Sequence, residues 1–271
     1  MKSYRASADV SVISDYMEIP GLGFLPVNAF VIHAAEPVVV DTGVGLPDRD
    51  FVSSLAEVID PADVRWIWLT HPDRDHTGGL FALLDAAPRA RVVTTFIAVG
   101  IMSTEKPLPL DRVYLLNPGQ SLDVGDRQLT GFRPPLFDNP ATVGIFDTSS
   151  GVCLSSDCFG APLSTAGLAS AQDVAAASPD ELRAAQLLWA SVDSPWIHAV
   201  DPGKFAASFR ELRDFGPAAI FSTHLPPITG ASAGTSGTVF DTMLEAPKTC
   251  AFTGPDQAAL EQMLRSFEPA R

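Results

Sequence analysis

Two histidines and two aspartates lie within six residues in the segment LTHPDRDHTGG: His71, Asp73, Asp75 and His76. Imidazole and carboxylate are the side-chain ligands of zinc, iron and manganese, and a tight loop can turn alternate side chains towards one locus. A second account is a polar loop that caps a helix starting near Thr77, with Asp75 or Thr77 as the cap. Capping explains one aspartate. It does not explain two histidines in a chain that has only five. The Thr77-Gly78-Gly79 run that follows suits a backbone that must approach its surroundings closely. The four residues are therefore candidate metal ligands.

The elements around them predict how they are positioned. A buried strand over residues 66–70 (WIWLT) runs straight into the loop, and VVVDTG ends the strand 37–40 at Asp41. Further strands are expected at 9–13, 28–33 and 91–95, with helices at 48–59 and 77–86. The second half predicts strands at 121–124, 128–132, 143–147 and 152–155, the last stopping just before Asp157. Helices follow at 179–190 and 202–214, a strand at 218–222 stops before His224, and an amphipathic helix closes the chain at 255–267. The run 230–238 (GASAGTSGT) reads as a surface loop. Periodicity alone predicts an α/β fold spanning 1–271 as a single domain, and the two series of strands with helices between them suggest a four-layer αββα sandwich.

Composition narrows the function classes. Apolar residues make up 46% of the 271, charged residues 18%, and the formal net charge is −14. A chain of that charge offers nothing to hold a phosphate backbone, so nucleic acid is not an expected partner. No apolar run reaches the roughly 18 residues of a membrane span, and the first residues show no signal-peptide pattern. Cys153, Cys158 and Cys250 form no CxxC pair and no disulfide framework, and they read as small buried hydrophobes of a cytoplasmic protein.

The motif THPDRDHTG resembles the HxHxDH signature of the metallo-β-lactamase superfamily. VVVDTG resembles its preceding strand, and SSD at 155–157 and STH at 222–224 follow in the family's order. The resemblance implies that Asp157 bridges two metal ions, that His224 is the last ligand of the second ion, and that Asp41 supports the site without binding metal. Asp73 stands where the superfamily's second histidine is usual. A carboxylate at that place, in the form HxExDH, is the habit of the flavodiiron and related oxygen-binding diiron branch. PPLFDNPAT and LSSDCFG resemble that branch's PxLHWPD and FSxDAFG segments, and WASVDSPW resembles its lid or linker stretch. Eighteen residues separate Asp138 from Asp157, the interval that branch shows between its third histidine and its bridging aspartate. No histidine lies between His76 and His198. Either Asp138 is a ligand in its place or water completes the first ion's shell. A C-terminal flavodoxin module is not expected.

A thiolate-free set rich in carboxylates favours iron or manganese over zinc. Carboxylates also lower the Lewis acidity of an ion and acidify bound water less, which counts against a fast hydrolase. Three readings stay open. One is a diiron protein that binds or reduces dioxygen or nitric oxide with electrons from a separate donor. The second is a hydrolase of esters, thioesters, lactones or amides, in which a metal-bridging hydroxide attacks and Asp75 orients it. The third is a degenerate metal-binding sensor or interaction protein. A homodimer is left open by the sequence. His33 and His198 read as structural or surface histidines, Asp147 as a turn residue, and Asp193 as a turn or lid residue. Arg74 is expected to pair with an acidic neighbour or steer anions, and Trp66 and Trp68 to fill core. Phe137, Phe159, Trp189 and Trp196 are candidates for an apolar wall suited to a diatomic ligand.

Overall fold

The computed structural model of the chain describes residues 1–267. Short apolar strands such as VVV and WIW are apolar on both faces because both faces are covered. In the first sheet, β1 (Lys2–Arg5), β2 (Val10–Ile19), β3 (Gly23–Ile32), β4 (Val38–Val40), β5 (Trp66–Trp68), β6 (Arg91–Thr94) and β7 (Val113–Leu115) lie in chain order. The first four are antiparallel, and β4 to β7 are parallel. The second sheet runs β12 (Ala219–Phe221), β11 (Val152–Leu154), β10 (Gly144–Asp147), β9 (Gln128–Phe132), β8 (Ser121–Asp123), with only β11 and β12 parallel.

The two-residue period of the strands sorts their side chains into layers. Val38, Val40, Trp68 and Val93 meet Leu129, Ile145, Val152 and Phe221 between the sheets. Val39, Ile67 and Val92 point outward onto α1 (Phe51–Ala56) and α3 (Leu80–Ala86), through Phe51, Leu55, Leu80 and Leu83. On the far side, Phe146, Cys153 and Ile220 pack with Leu182, Phe209 and Phe240. These side chains belong to α6 (Pro179–Asp193), α7 (Pro202–Asp214) and α8 (Ala233–Met243). The architecture is the expected αββα sandwich. Among the described residues, no helix is long and apolar enough to cross a membrane.

Several local expectations need correction. The run 230–238 is no loop: after one turn at Gly230–Ser232 it enters α8, whose Val239, Phe240 and Met243 are buried. Tertiary burial overrides the weak helix propensity of its glycines, serines and threonines. The helix expected at 77–86 is two pieces, α2 (Arg74–Thr77) and α3, broken at Gly78 and Gly79. The strand β1, the edge strand β7 and the helix α4 (Phe96–Met102) carry no clear periodicity in sequence. Phe96 of α4 is 76% exposed, so no apolar stripe marks that helix. The closing helix, numbered after the short α5 (Ala166–Ala169), is α9 (Gln257–Phe267). Cys153 and Cys158 are buried, and burial pushes both thiols up, but Cys250 is exposed because it follows the last core helix.

Candidate metal centre

Parallel pairing brings the chemical residues to one edge. Val40 is opposite Trp68, and the Asp41 N–H donates to the Trp68 carbonyl at 2.9 Å, so Asp41 and the Thr70–His71 turn leave adjacent strand ends. In the second sheet Leu154 is opposite Phe221, which puts Ser155-Ser156-Asp157 beside Ser222-Thr223-His224. The loop that carries Asp138 enters β10 at the same edge, where the Val143 N–H donates to the Thr70 carbonyl across the two sheets at 2.7 Å. This is the crevice at the carboxyl ends of strands where α/β sheets expose their ligand sites.

The histidines are oriented before any ligand arrives. His76 presents Nδ1 to Asp41 Oδ2 at 2.8 Å, and His224 donates from Nδ1 to the Pro26 carbonyl at 2.7 Å. Both rings therefore turn Nε2 inward. His71 contacts Ser156 Oγ through Nδ1 at 3.2 Å. Asp41 also accepts from the Thr70 N–H at 2.8 Å and the Thr70 hydroxyl at 2.9 Å. Its φ of 57°, with 54° at Ser156 and 74° at Phe159, places three non-glycine residues in the left-handed region around the centre. Such conformations each cost roughly 1–3 kcal/mol and persist where the surroundings enforce them.

Asp157, buried to 3% side-chain exposure, is the hub. Its Oδ1 lies 3.1 Å from His76 Nε2 and 3.4 Å from His224 Nε2, and its Oδ2 lies 3.4 Å from His71 Nε2. On one side Asp75 Oδ2 approaches His224 Nε2 at 3.2 Å and His76 Nε2 at 3.6 Å. On the other, His71 Nε2 faces Asp138 at 3.7 Å and Asp73 at 3.9 Å. The potential ligand atoms form groups within 4.8 Å of one another: His71, His76 and Asp157; Asp75, His76 and His224; His71, Asp73 and Asp138; and Asp138, Asp157 and Asp193. All seven residues singled out as ligands in the sequence fall in this set, together with Asp193, which was read as a turn or lid residue. Asp73 is the N-cap residue of α2 yet makes no capping hydrogen bond; it accepts from Asn139 Nδ2 at 2.9 Å. The capping account of the loop is not what these carboxylates do.

The electrostatics follow from eight crowded titratable groups. Burial opposes the charge of Asp157, but His71, His76 and His224 hold its carboxyl far below the ordinary range. Burial likewise opposes Asp75, which His76 and His224 hold low. Against burial, Asp157, Asp41 and Asp75 carry His76 well above an ordinary imidazole, and Asp157 with Asp75 pushes His224 up to about 9. His71 is lowered by burial and by His76. Asp138 is pushed up to about 7 and Asp193 to about 8, by burial first and then by neighbouring carboxylates. Such a surplus of buried charge is the environment that a cation neutralises. His76 Nε2 is wholly buried and, although 3.1 Å from Asp157 Oδ1, makes no aligned hydrogen bond among the described residues, a contact that an ion between the two would satisfy. The residues present fit a metal centre of oxygen-rich character.

A cavity of about 350 Å³ opens over these groups, walled by Met17, Ile19, Leu25, Val44 and Trp189. The hairpin β2–β3 supplies the first three, and nothing in their spacing marks them in sequence. Of the expected aromatic wall only Trp189 is there. Phe159 is buried against Phe209 and Phe240, and Phe137 and Trp196 line a separate groove. Gly160 is what lets Trp189 in, since a Cβ on it would lie 2.4 Å from the indole and 2.9 Å from His224 Cβ. His33 bonds Ser11 and His198 bonds Ser191, both away from the metal-type groups. Asp147 pairs with Arg127 and accepts from Ser149 N in its turn. Among the described residues Arg74 pairs with no acid and instead donates to the Val44 and Gly45 carbonyls. Trp68 fills the inter-sheet core, and Trp66 packs against it with its N–H on Glu36.

Sandwich and site define the class: the chain belongs to the metallo-β-lactamase superfamily, whose family model matches residues 22–224. Within it, part of the chain is similar in sequence to flavorubredoxins, and its fold is similar to that of flavodiiron proteins. It is 28% identical over 148 residues to the anaerobic nitric oxide reductase flavorubredoxin of Salmonella typhi, covering 54% of this chain and 30% of that protein. Rubredoxin oxygen:oxidoreductase from Desulfovibrio gigas superposes with a TM-score of 0.73 at 17% identity, over 91% of this chain and 62% of the other. The flavodiiron protein of Giardia intestinalis gives 0.71 at 15% identity, over 90% and 60%. The chain thus spans about a third of the length of the curated relatives it matches.

Proposed function

We propose that this protein is a diiron protein that binds and reduces dioxygen or nitric oxide with electrons from a separate donor. His71, Asp73, Asp138 and Asp157 would hold one ion, and Asp75, His76, Asp157 and His224 the other. The observation that carries the reading is the orphaned, fully buried Nε2 of His76 facing Asp157, with carboxylates outnumbering imidazoles around it. The homology to a nitric oxide reductase flavorubredoxin supports the choice of redox chemistry over hydrolysis.

In that reading bound iron supplies the redox chemistry at the floor of the cavity. The chain supplies the geometry. Asp41 and the Pro26 carbonyl lock two imidazoles in orientation, as groups behind metal ligands generally do. The apolar side chains of the β2–β3 hairpin and Trp189 wall one side of the approach, which leaves room for a small uncharged ligand above the charged floor. Reduction of two nitric oxide molecules to nitrous oxide and water takes two electrons and two protons, so the donor must reach the cavity side of the molecule.

The test is metal analysis of protein purified without added metal, followed by anaerobic nitric oxide and dioxygen consumption with an artificial donor. Two irons per chain and consumption of either gas are expected. Two zinc ions with ester or lactone hydrolysis and no gas consumption would sink the proposal.

A further inference from the structure

Asp193 sits where stability alone would not put it. It is the last residue of α6, and no basic residue lies in that helix's final turn. A negative charge there opposes the helix dipole. The helix-flanking acid Asp201 behaves differently: it caps the N-terminus of α7 by accepting from the Lys204 N–H at 2.8 Å. Among the described residues Asp193 makes no such bond and accepts only from its neighbour Ser194 Oγ at 3.3 Å. Its carboxylate atoms come within 4.8 Å of those of Asp138 and Asp157. Three carboxylates so close, one of them fully buried, repel one another strongly in a medium of low dielectric. Trp189 lies one turn earlier, so both residues share the helix face that lines the cavity. His76 Nε2, buried and without an aligned hydrogen-bond partner among the described residues, points at Asp157 of this carboxylate group. Helix dipole, burial and repulsion all count against the residue, and a bound cation reverses all three.

We infer that Asp193 is a further ligand of the first metal position, which gives that position one imidazole and four carboxylates. The inference rests on the dinuclear reading proposed above. The second position keeps two imidazoles, His76 and His224, with Asp75 and Asp157. The two positions then differ in hardness: the first prefers manganese or iron, and the second accepts zinc as well.

The experiment is equilibrium metal binding by the metal-free full chain, wild type against Asp193→Asn and Asp193→Glu. Manganese and zinc are titrated separately, bound ions are counted, and the manganese spin-coupling spectrum is recorded. Wild type is expected to hold two manganese ions as a coupled pair. Asp193→Asn is expected to weaken one of them at least tenfold and leave an uncoupled mononuclear signal. Its metal-free form should melt higher than wild type, because the buried acid that Asp138 and Asp157 disfavour is gone. Asp193→Glu, which keeps the carboxylate, should retain the coupled pair with reduced affinity and keeps the test open if the asparagine variant does not fold. Wild-type affinities and coupling in both variants would overturn the assignment of Asp193 while leaving the dinuclear centre standing. A wild-type chain that binds neither ion would overturn both.

Discussion

Asp41 illustrates how much of the centre is built from residues that would touch no metal. Its carboxylate gathers the Thr70 N–H and hydroxyl and His76 Nδ1, from a backbone held at positive φ. Asp41→Asn keeps the shape but loses the negative charge behind His76 and favours the wrong ring orientation. We expect metal affinity to fall about 10–100-fold, the usual cost of losing such a partner. A competition titration against a chelator reads this directly, and unchanged affinity would mean that Asp41 serves only the backbone turn. The resemblance of VVVDTG to the superfamily's strand made Asp41 legible as a supporting residue. It could not reveal Asp193, because an acid at a helix end has many ordinary explanations until its neighbours are known.

At the scale of elements, the loop after β5 depends on two glycines that let backbone meet backbone. A Cβ on Gly78 would lie 2.1 Å from the Val44 carbonyl carbon and 2.4 Å from the Gly45 nitrogen, neither of which can swing away. Gly78→Ala is therefore expected to cost about 1–3 kcal/mol of stability and to weaken metal binding by displacing Asp75 and His76. Gly100 in α4 has nothing within 4 Å of its Cβ position. Gly100→Ala should instead gain up to about 1 kcal/mol through helix propensity. Chemical denaturation of the pair decides the matter; equal effects would refute the close-approach argument. The same contrast explains why α8 escaped sequence reading: its glycine- and serine-rich first turns carry no local helix signal, and only burial of Val239, Phe240 and Met243 holds it.

For the whole molecule, the layer between the sheets is shared by both series of strands, and the candidate ligands come from both sheet edges. Metal binding should therefore stabilise the entire chain, which is expected to unfold as one unit with a Tm that rises on adding metal. The pH dependence has a definite sign. In the metal-free chain His224 is held up to about 9 and His76 also well above an ordinary imidazole. Their ion pairs with Asp157 contribute fully below the imidazole value of 6.5 and fade as pH rises through about 9. Metal needs those nitrogens deprotonated, so binding releases protons. The metal-induced rise in Tm should be larger at about pH 8 than at about pH 6, measured by calorimetry with and without chelator. A larger rise at the lower pH would contradict the electrostatics.

The sequence by itself determined the layered fold and seven of the eight groups at the centre. Strand periodicity and the compact cluster His71, Asp73, Asp75 and His76 are local properties, written in consecutive positions, whereas Asp138, Asp157 and His224 were legible only through the resemblance to the metallo-β-lactamase superfamily. What only the tertiary structure decided is which side chains close the cavity and which extra acid faces it. Met17, Ile19 and Leu25 reach the site across a hairpin, Trp189 through the gap left by Gly160, and Asp193 from the far end of a helix. Their roles come from long-range juxtaposition, set by how the sheets and helices pack, and no spacing along the chain encodes that distance.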